Sequence, residues 1–232
     1  LLTSAQNGMK LVMMDISAFI ARLAIGLPGF LLAIVFHEAA HAWMATRFGD
    51  QTARSMGRLS LNPAVHYDLV GTVIFPLIGA LMGGVMFGWA KPVPVDPRQF
   101  KNVKSGIFWV SFAGPLANIL LAVICAFGFA LMVTHVPQDF ALHSQFTEML
   151  RIAVMINIVI AVFNLIPFPP LDGSKMVSTL LDYNAARKYE ELQRYSFLFI
   201  FVLWFTPILG YLMMPALMAG TGLVNVFIRL LA

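Results

Sequence analysis

The sequence predicts an all-α polytopic membrane protein: three long core transmembrane helices, a re-entrant or non-crossing segment, and one or two C-terminal helices. Composition and spacing carry this expectation. Of 232 residues, 59% are hydrophobic and 11% charged, against roughly 45–50% and 25% in soluble domains. Mean hydropathy is +0.82. So few charges cannot solvate a globule of this size, and disorder requires the opposite balance. The apolar residues also fall into five stretches, several of them matching the roughly 20 residues that a membrane helix needs.

Residues 1–15 precede the first stretch and are expected to form a flexible N-terminus. The first stretch runs from Ile16 to Phe48. The second, Leu69 to Trp89, holds Gly71, Gly79, Gly83, Gly84 and Gly88. The third covers Ile107 to Val133 and the fourth Ala153 to Phe168. The last, Ser196 to Ile228, has no charged residue but contains Pro207, Gly210, Pro215, Gly220 and Gly222. It reads as one span plus a surface helix, or as two short spans. There is no internal repeat, and no connecting segment is long enough for an appended soluble domain. The expectation is one membrane-embedded domain over 1–232.

The net charge of +4 does not imply nucleic acid, because the bases form no stripe interleaved with aromatics. They occupy short segments between apolar runs. Leu171 to Tyr195 carries Lys175, Arg187, Lys188 and Arg194, whereas His135 to Leu150 has no Lys or Arg. The positive-inside rule makes the first cytoplasmic and the second external, in a multi-pass protein of the cell membrane. His135 and His143 then lie outside, solvated. Arg22 sits near the external end of its helix and can snorkel. The lone Cys125 removes disulfides and a thiolate metal site, and the 14 methionines are scattered as packing.

The first apolar stretch contains His37-Glu38-Ala39-Ala40-His41. Two histidines four apart share one helix face and can bind one zinc, with Glu38 beside them as a proton acceptor. In lipid, ionisable groups without partners are expensive, so three in five residues need a shared purpose. Zinc requires a third protein ligand, and Asp172 is the candidate, since Pro167, Pro169 and Pro170 must end the fourth helix and Asp172-Gly173 can turn a carboxylate back. A helix-capping role is the alternative. For Asp172 to meet His41, Leu69 to Trp89 must not cross the membrane, and its glycines permit a re-entrant path. The 69–90 segment is therefore expected to be re-entrant or non-crossing, with the site opening to the cytoplasm. In the third stretch, Gly114 and its small neighbours suit helix packing, while Asn118, on the same face, is a candidate oxyanion donor.

H-E-x-x-H in a first long helix, G-x-x-x-N at Gly114–Asn118, and N-x-x-P-x-x-P-L-D-G from Asn164 together resemble the site-2 protease family of intramembrane zinc metalloproteases. The Gly57-Arg58-Leu59, Leu61-Asn62-Pro63 and Trp89-Ala90-Lys91-Pro92-Val93-Pro94-Val95 strings are similar to its compact prokaryotic members, without PDZ or CBS domain. The resemblance covers about Leu23 to Leu181. It implies one zinc per chain on His37, His41 and Asp172, Glu38 as catalytic glutamate, Asn118 as a substrate or oxyanion contact, and a transmembrane protein as substrate. Lys91, Val93 and Val95 can offer an extended edge to a substrate strand, and Asn164 is a further candidate substrate contact. His66 is expected to anchor a loop rather than bind metal. A zinc transporter and a catalytically silent helix-binding relative are the competing readings, the first disfavoured because the polar residues cluster near one membrane face.

Overall fold

The computed structural model describes residues 2–81 and 88–232, with the backbone alone for 2–15, 204 and 205. Helix α1 runs Leu2–Phe48, with the backbone of residues 2–15 in the same helix. Its end is set by Gly49, whose φ of 111° lies in the left-handed region that favours glycine. Short helix α2 (Thr52–Ser55) follows, then a π-helical turn at Leu69–Ile74 that continues into α3 (Phe75–Leu81). Helix α4 (Val103–His135) is capped by the Asn102 side chain, which accepts from the Ser105 amide. Then come α5 (His143–Leu165), α6 (Asp172–Ser178), α7 (Tyr183–Glu190), α8 (Ser196–Phe205) and α9 (Ile208–Leu231). Among the described residues there is no strand.

Among the described residues, four helices are long and apolar enough to cross a membrane: Ile16–Phe48 of α1, α4, α5 and α9. Helix α8, with ten residues, reaches about 15 Å at 1.5 Å per residue, half of a bilayer's hydrocarbon core. The last apolar stretch thus holds one helix of spanning length and one short helix, separated at Thr206–Pro207.

Helices α1, α4 and α5 form the centre. Their contact surfaces are mostly small side chains, with Ala33, Ala42, Ala45, Ala126, Ala130 and Ala161 at most 1% exposed. This lets the backbones approach closely, as in other helix pairs that have no hydrophobic drive between them in lipid. Phe30 and Ile34 of α1 pack with Ile156 of α5 and with Ala90. Leu223, Val224 and Phe227 of α9 close the α4–α5 groove over Cys125, Ala126 and Val154.

The segment between α1 and α4 returns to where it began. The Lys101 amide donates to the Phe48 carbonyl at 3.0 Å, and the Asp96 amide donates to the Asp50 carboxylate at 2.8 Å. Helix α4 therefore starts beside the end of α1 and runs back along it. Within this excursion, the Trp89 amide donates to the Gly71 carbonyl at 3.2 Å, so the two ends of the glycine-rich stretch meet. At its far end the Arg22 guanidinium, rather than pointing away from the protein, donates to the Ala80 carbonyl at 3.1 Å. Residues 82–87, including Gly83 and Gly84, lie outside the described residues.

A Cβ at position 71 would collide with the Trp89 carbonyl and ring. Gly71→Ala is expected to destabilise the protein by about 1–3 kcal/mol, the usual range for overpacking. Gly210→Ala, where nothing lies within 4 Å, serves as the control. Thermal unfolding of both in detergent checks this, and equal melting temperatures would refute the close approach.

Candidate metal centre

His37 and His41 lie one turn apart on α1, and both rings turn into the α1–α4 contact. Their centroids are 4.6 Å apart and their planes nearly perpendicular. Asp172 reaches them because α5 stops at Leu165, ahead of Pro167, and the chain re-enters helix at Asp172 itself. Gly173 makes that return possible, since a Cβ there would strike the Leu165 and Ile166 carbonyls. Asp172 Oδ2 lies 3.2 Å from His37 Nε2 and 3.1 Å from His41 Nε2. All three residues are buried, and their ligand atoms lie within 4.8 Å of one another.

The outer nitrogens decide what the inner ones can do. His41 Nδ1 lies 2.6 Å from the Val110 carbonyl, which can only accept, so Nδ1 carries the proton. His37 Nδ1 lies 2.6 Å from Asn118 Oδ1. That oxygen is fixed as the near atom because Asn118 Nδ2 donates to the Ala33 carbonyl and to Asn157 Oδ1, both at 2.9 Å. In its neutral form each imidazole, with the proton on Nδ1, would present a bare Nε2 lone pair towards a carboxylate oxygen. In that form a cation between the three atoms would satisfy all of them.

A zinc ion fits this arrangement. An N2O donor set with the remote nitrogens hydrogen-bonded is the usual chemistry of such sites. Separations of 3.1–3.2 Å approach the roughly 3.3 Å edge of a tetrahedron built on bonds near 2.05 Å. Gly114 of α4 supplies the space. A Cβ at that position would sit 2.6 Å from His37 Nε2 and against His41 Nε2, in the cradle the metal needs. The glycine that sequence spacing assigns to helix packing thus borders the ligand atoms. Lys175 Nζ holds the other Asp172 oxygen, Oδ1, at 3.2 Å.

Glu38, half-buried on the same helix, accepts a hydrogen bond at Oε2 from the Val93 amide at 2.8 Å. The Lys91–Val95 segment is therefore docked on Glu38 through the Val93 amide. Lys91 donates to the His66 carbonyl at 2.9 Å, while the Lys91 and Pro92 carbonyls accept from Arg58 at 2.6 and 3.3 Å. Val95 packs against Ala45, Phe100 and Val110. In this conformation the Lys91 and Val93 amides are not free to pair with a substrate strand. Asn118 lies behind His37 rather than beside Glu38 in its hydrogen bonding. It is fully buried, and its Nδ2 donates to the Ala33 carbonyl and to Asn157 Oδ1. Asn164 turns its amide onto the Ile160 carbonyl of its own helix at 3.0 Å. His66 is buried, with Nε2 2.8 Å from the Ser60 carbonyl, anchoring a loop apart from the metal ligands.

Asn157, Lys175, the Val110 carbonyl and the Val93 amide are the contacts that sequence reasoning missed. Asn157 left a signal, as an amide in an apolar helix needs a partner. Backbone groups leave none.

A bundle with helices of membrane-spanning length and a buried His37–His41–Asp172 group, the histidines set in His-Glu-x-x-His, defines a membrane metallopeptidase. Comparison with known proteins gives the same class. Residues 130–206 match Peptidase family M50. The chain is 37% identical over 82% of its length, and 84% of the relative's, to "Putative zinc metalloprotease YwhC" of Bacillus subtilis. It is 29% identical over 83% of its length, and 71% of the relative's, to "Putative zinc metalloprotease Rip2" of Mycolicibacterium smegmatis. The chain belongs to peptidase family M50, the site-2 protease type. No solved structure matches it.

Filling the Gly114 cradle is expected to remove the metal. Gly114→Ala should bind zinc at least about tenfold more weakly, the scale of a disturbed metal environment. Gly128→Ala on the same helix, which meets only ordinary contacts from Leu150 at 3.5 Å, should bind as the parent does. Competition with a chromogenic chelator measures both, and an unaltered Gly114→Ala affinity would count against the site.

Proposed function

We propose that the chain is an intramembrane zinc metalloprotease that hydrolyses peptide bonds within or next to transmembrane segments of other membrane proteins. The observation that carries this is the pair of Nε2 atoms converging on the Asp172 carboxylate, with Glu38 on the same helix, in a bundle of spanning length. Family membership supports the reaction class.

In this reading α1, α4, α5 and α9 cross the membrane of the cell, and α8 lies at its surface. The 69–90 segment enters and leaves on one side, a reading supported by the Gly71–Trp89 and Phe48–Lys101 hydrogen bonds at its base. The basic residues Arg47, Lys101, Lys104, Lys175 and Arg187 share the end where α1 stops, α4 starts and α6 follows α5. The positive-inside rule makes that end cytoplasmic.

His37, His41 and Asp172 would hold one zinc ion. Bound there, it supplies Lewis-acid polarisation of a peptide carbonyl and acidifies water. Glu38 is the general base. The Val93 amide fixes Oε2, so Oε1 is the atom that accepts the proton of the attacking water and returns it to the departing amine nitrogen. Asn118 acts behind His37, holding its Nδ1 proton and thereby the direction of Nε2. The substrate backbone has to be locally extended to expose a carbonyl, and the Lys91–Val95 segment has to move aside or pair through its outer edge.

Glu38→Gln keeps the Val93 contact and the size of the side chain but cannot accept the proton. It is expected to retain zinc and to lose at least about 10²-fold in hydrolysis. A quenched unfolded polypeptide, cleaved in detergent by the parent protein, provides the assay. Zinc uptake into vesicles provides the contrast, because a carrier would keep its flux in the variant. Cleavage unchanged by the substitution would overturn Glu38 as the base.

A further inference from the structure

Asn157 lies in the middle of α5 and is fully buried. Its Nδ2 donates to the Ala153 carbonyl one turn back at 2.9 Å, and its Oδ1 accepts from Asn118 Nδ2 at 2.9 Å. Asn118 Oδ1 in turn lies 2.6 Å from His37 Nδ1. Three helices are thus joined by one directional chain: α5 through Asn157, α4 through Asn118, and α1 through His37.

The direction is forced from the α5 end. A carbonyl can only accept, so the Ala153 contact makes Asn157 present its amide nitrogen there and its oxygen towards α4. That oxygen must meet a donor, which turns the Asn118 nitrogen towards α5 and the Asn118 oxygen towards His37. An oxygen facing His37 Nδ1 requires the proton on Nδ1, and in the neutral imidazole that a metal binds this leaves Nε2 as the ligand atom. Reversing the Asn118 amide would aim an N–H at Nδ1, move the ring proton to Nε2 and remove the ligand. The Ala33 carbonyl favours the same orientation, but it satisfies only one of the two Asn118 N–H groups.

We propose that Asn157 is a positioning residue for the metal centre: it sets the orientation of Asn118 and, through it, the tautomer in which His37 serves as a ligand. The proposal rests on the zinc reading of the site. An amide in an apolar helix is otherwise explained as glue between helices, a role that would affect stability without reaching the metal.

The test uses the full chain in detergent, with zinc affinity measured by chelator competition and Co²⁺ absorption read in the substituted protein. Asn157→Leu, of similar volume and without the acceptor, should weaken zinc binding roughly 10- to 100-fold, as loss of a partner behind a ligand does, and should change the Co²⁺ bands. Asn157→Asp keeps the acceptor for Asn118 and should stay within about threefold of the parent on that scale. In an Asn118→Ala background, Asn157→Leu should add no further loss, because its effect passes through Asn118. A folded Asn157→Leu protein with parental affinity and Co²⁺ bands would overturn the proposal, as would losses that multiply in the double variant. If Asn157→Leu does not fold, Asn157→Asp decides: parental affinity supports the proposal, and a large loss overturns it. A parent protein that binds no zinc would instead bring down the metal reading itself.

Discussion

The structure depends on how two imidazoles are held by their outer nitrogens. In a low-dielectric bundle an unpaired polar group is costly, so the partner of each Nδ1 settles the chemistry at each Nε2. Val110 and Asn118, both on α4, take those protons. The α1–α4 contact is consequently more than apolar packing. It fixes the ligand tautomers and sets the depth of the site along both helices. It also explains why Gly114, between the two partners in sequence, must lack a side chain.

The excursion between α1 and α4 solves a geometric problem raised by this contact. Helices that pack along their length, one starting where the other ends, need only a short connection, yet some fifty residues separate Phe48 from Val103. Those residues leave and return at the same point, pinned by the Phe48–Lys101 and Asp50–Asp96 hydrogen bonds. On the way they send the Val93 amide to Glu38 and bury Ala90 against Phe30. The segment therefore orients the carboxylate of α1 from the side that α4 and α5 do not cover. Arg58 and His66 hold its Lys91–Pro92 stretch in place through backbone carbonyls. The inner wall is an arrangement of backbone groups, and Pro92 and Pro94 leave Val93 as the one amide donor between them.

The legible parts of the sequence were those whose geometry is local. His37, Glu38 and His41 are fixed relative to one another by helical periodicity alone, and the prolines after Leu165 dictate a break without any tertiary information. Asp172 was within reach because only one residue after that break combines a carboxylate with a following glycine. What sequence could not give was the partner of each amide. Asn118 reads equally well as a donor to substrate or as an acceptor for a histidine, and only the carbonyls of Ala33 and Ala153, together with Asn157, decide between them. Gly114 reads as a packing residue because a cradle for an ion and a contact between helices both require the absence of a Cβ. Arg22 reads as a snorkelling cation, and its carbonyl partner on α3 belongs to a segment whose path no local rule specifies.

The same amides bear on what the site is for. A transport path needs polar groups that continue through the membrane. Here the hydrogen-bond chain from His37 passes through Asn118 and Asn157 and ends on the Ala33 and Ala153 carbonyls, which belong to helical backbone. Beyond it, towards the end where α4 meets α5, the described interior is Phe30, Ala122, Cys125, Ala126, Ala130 and Val154, with no polar side chain to receive an ion. The acidic and imidazole groups instead open towards α6 and the Lys91–Val95 segment, where Glu38 and Lys175 lie. A centre that is closed on one side and adjoins a carboxylate on the other suits action on something brought to it. That asymmetry favours hydrolysis over passage.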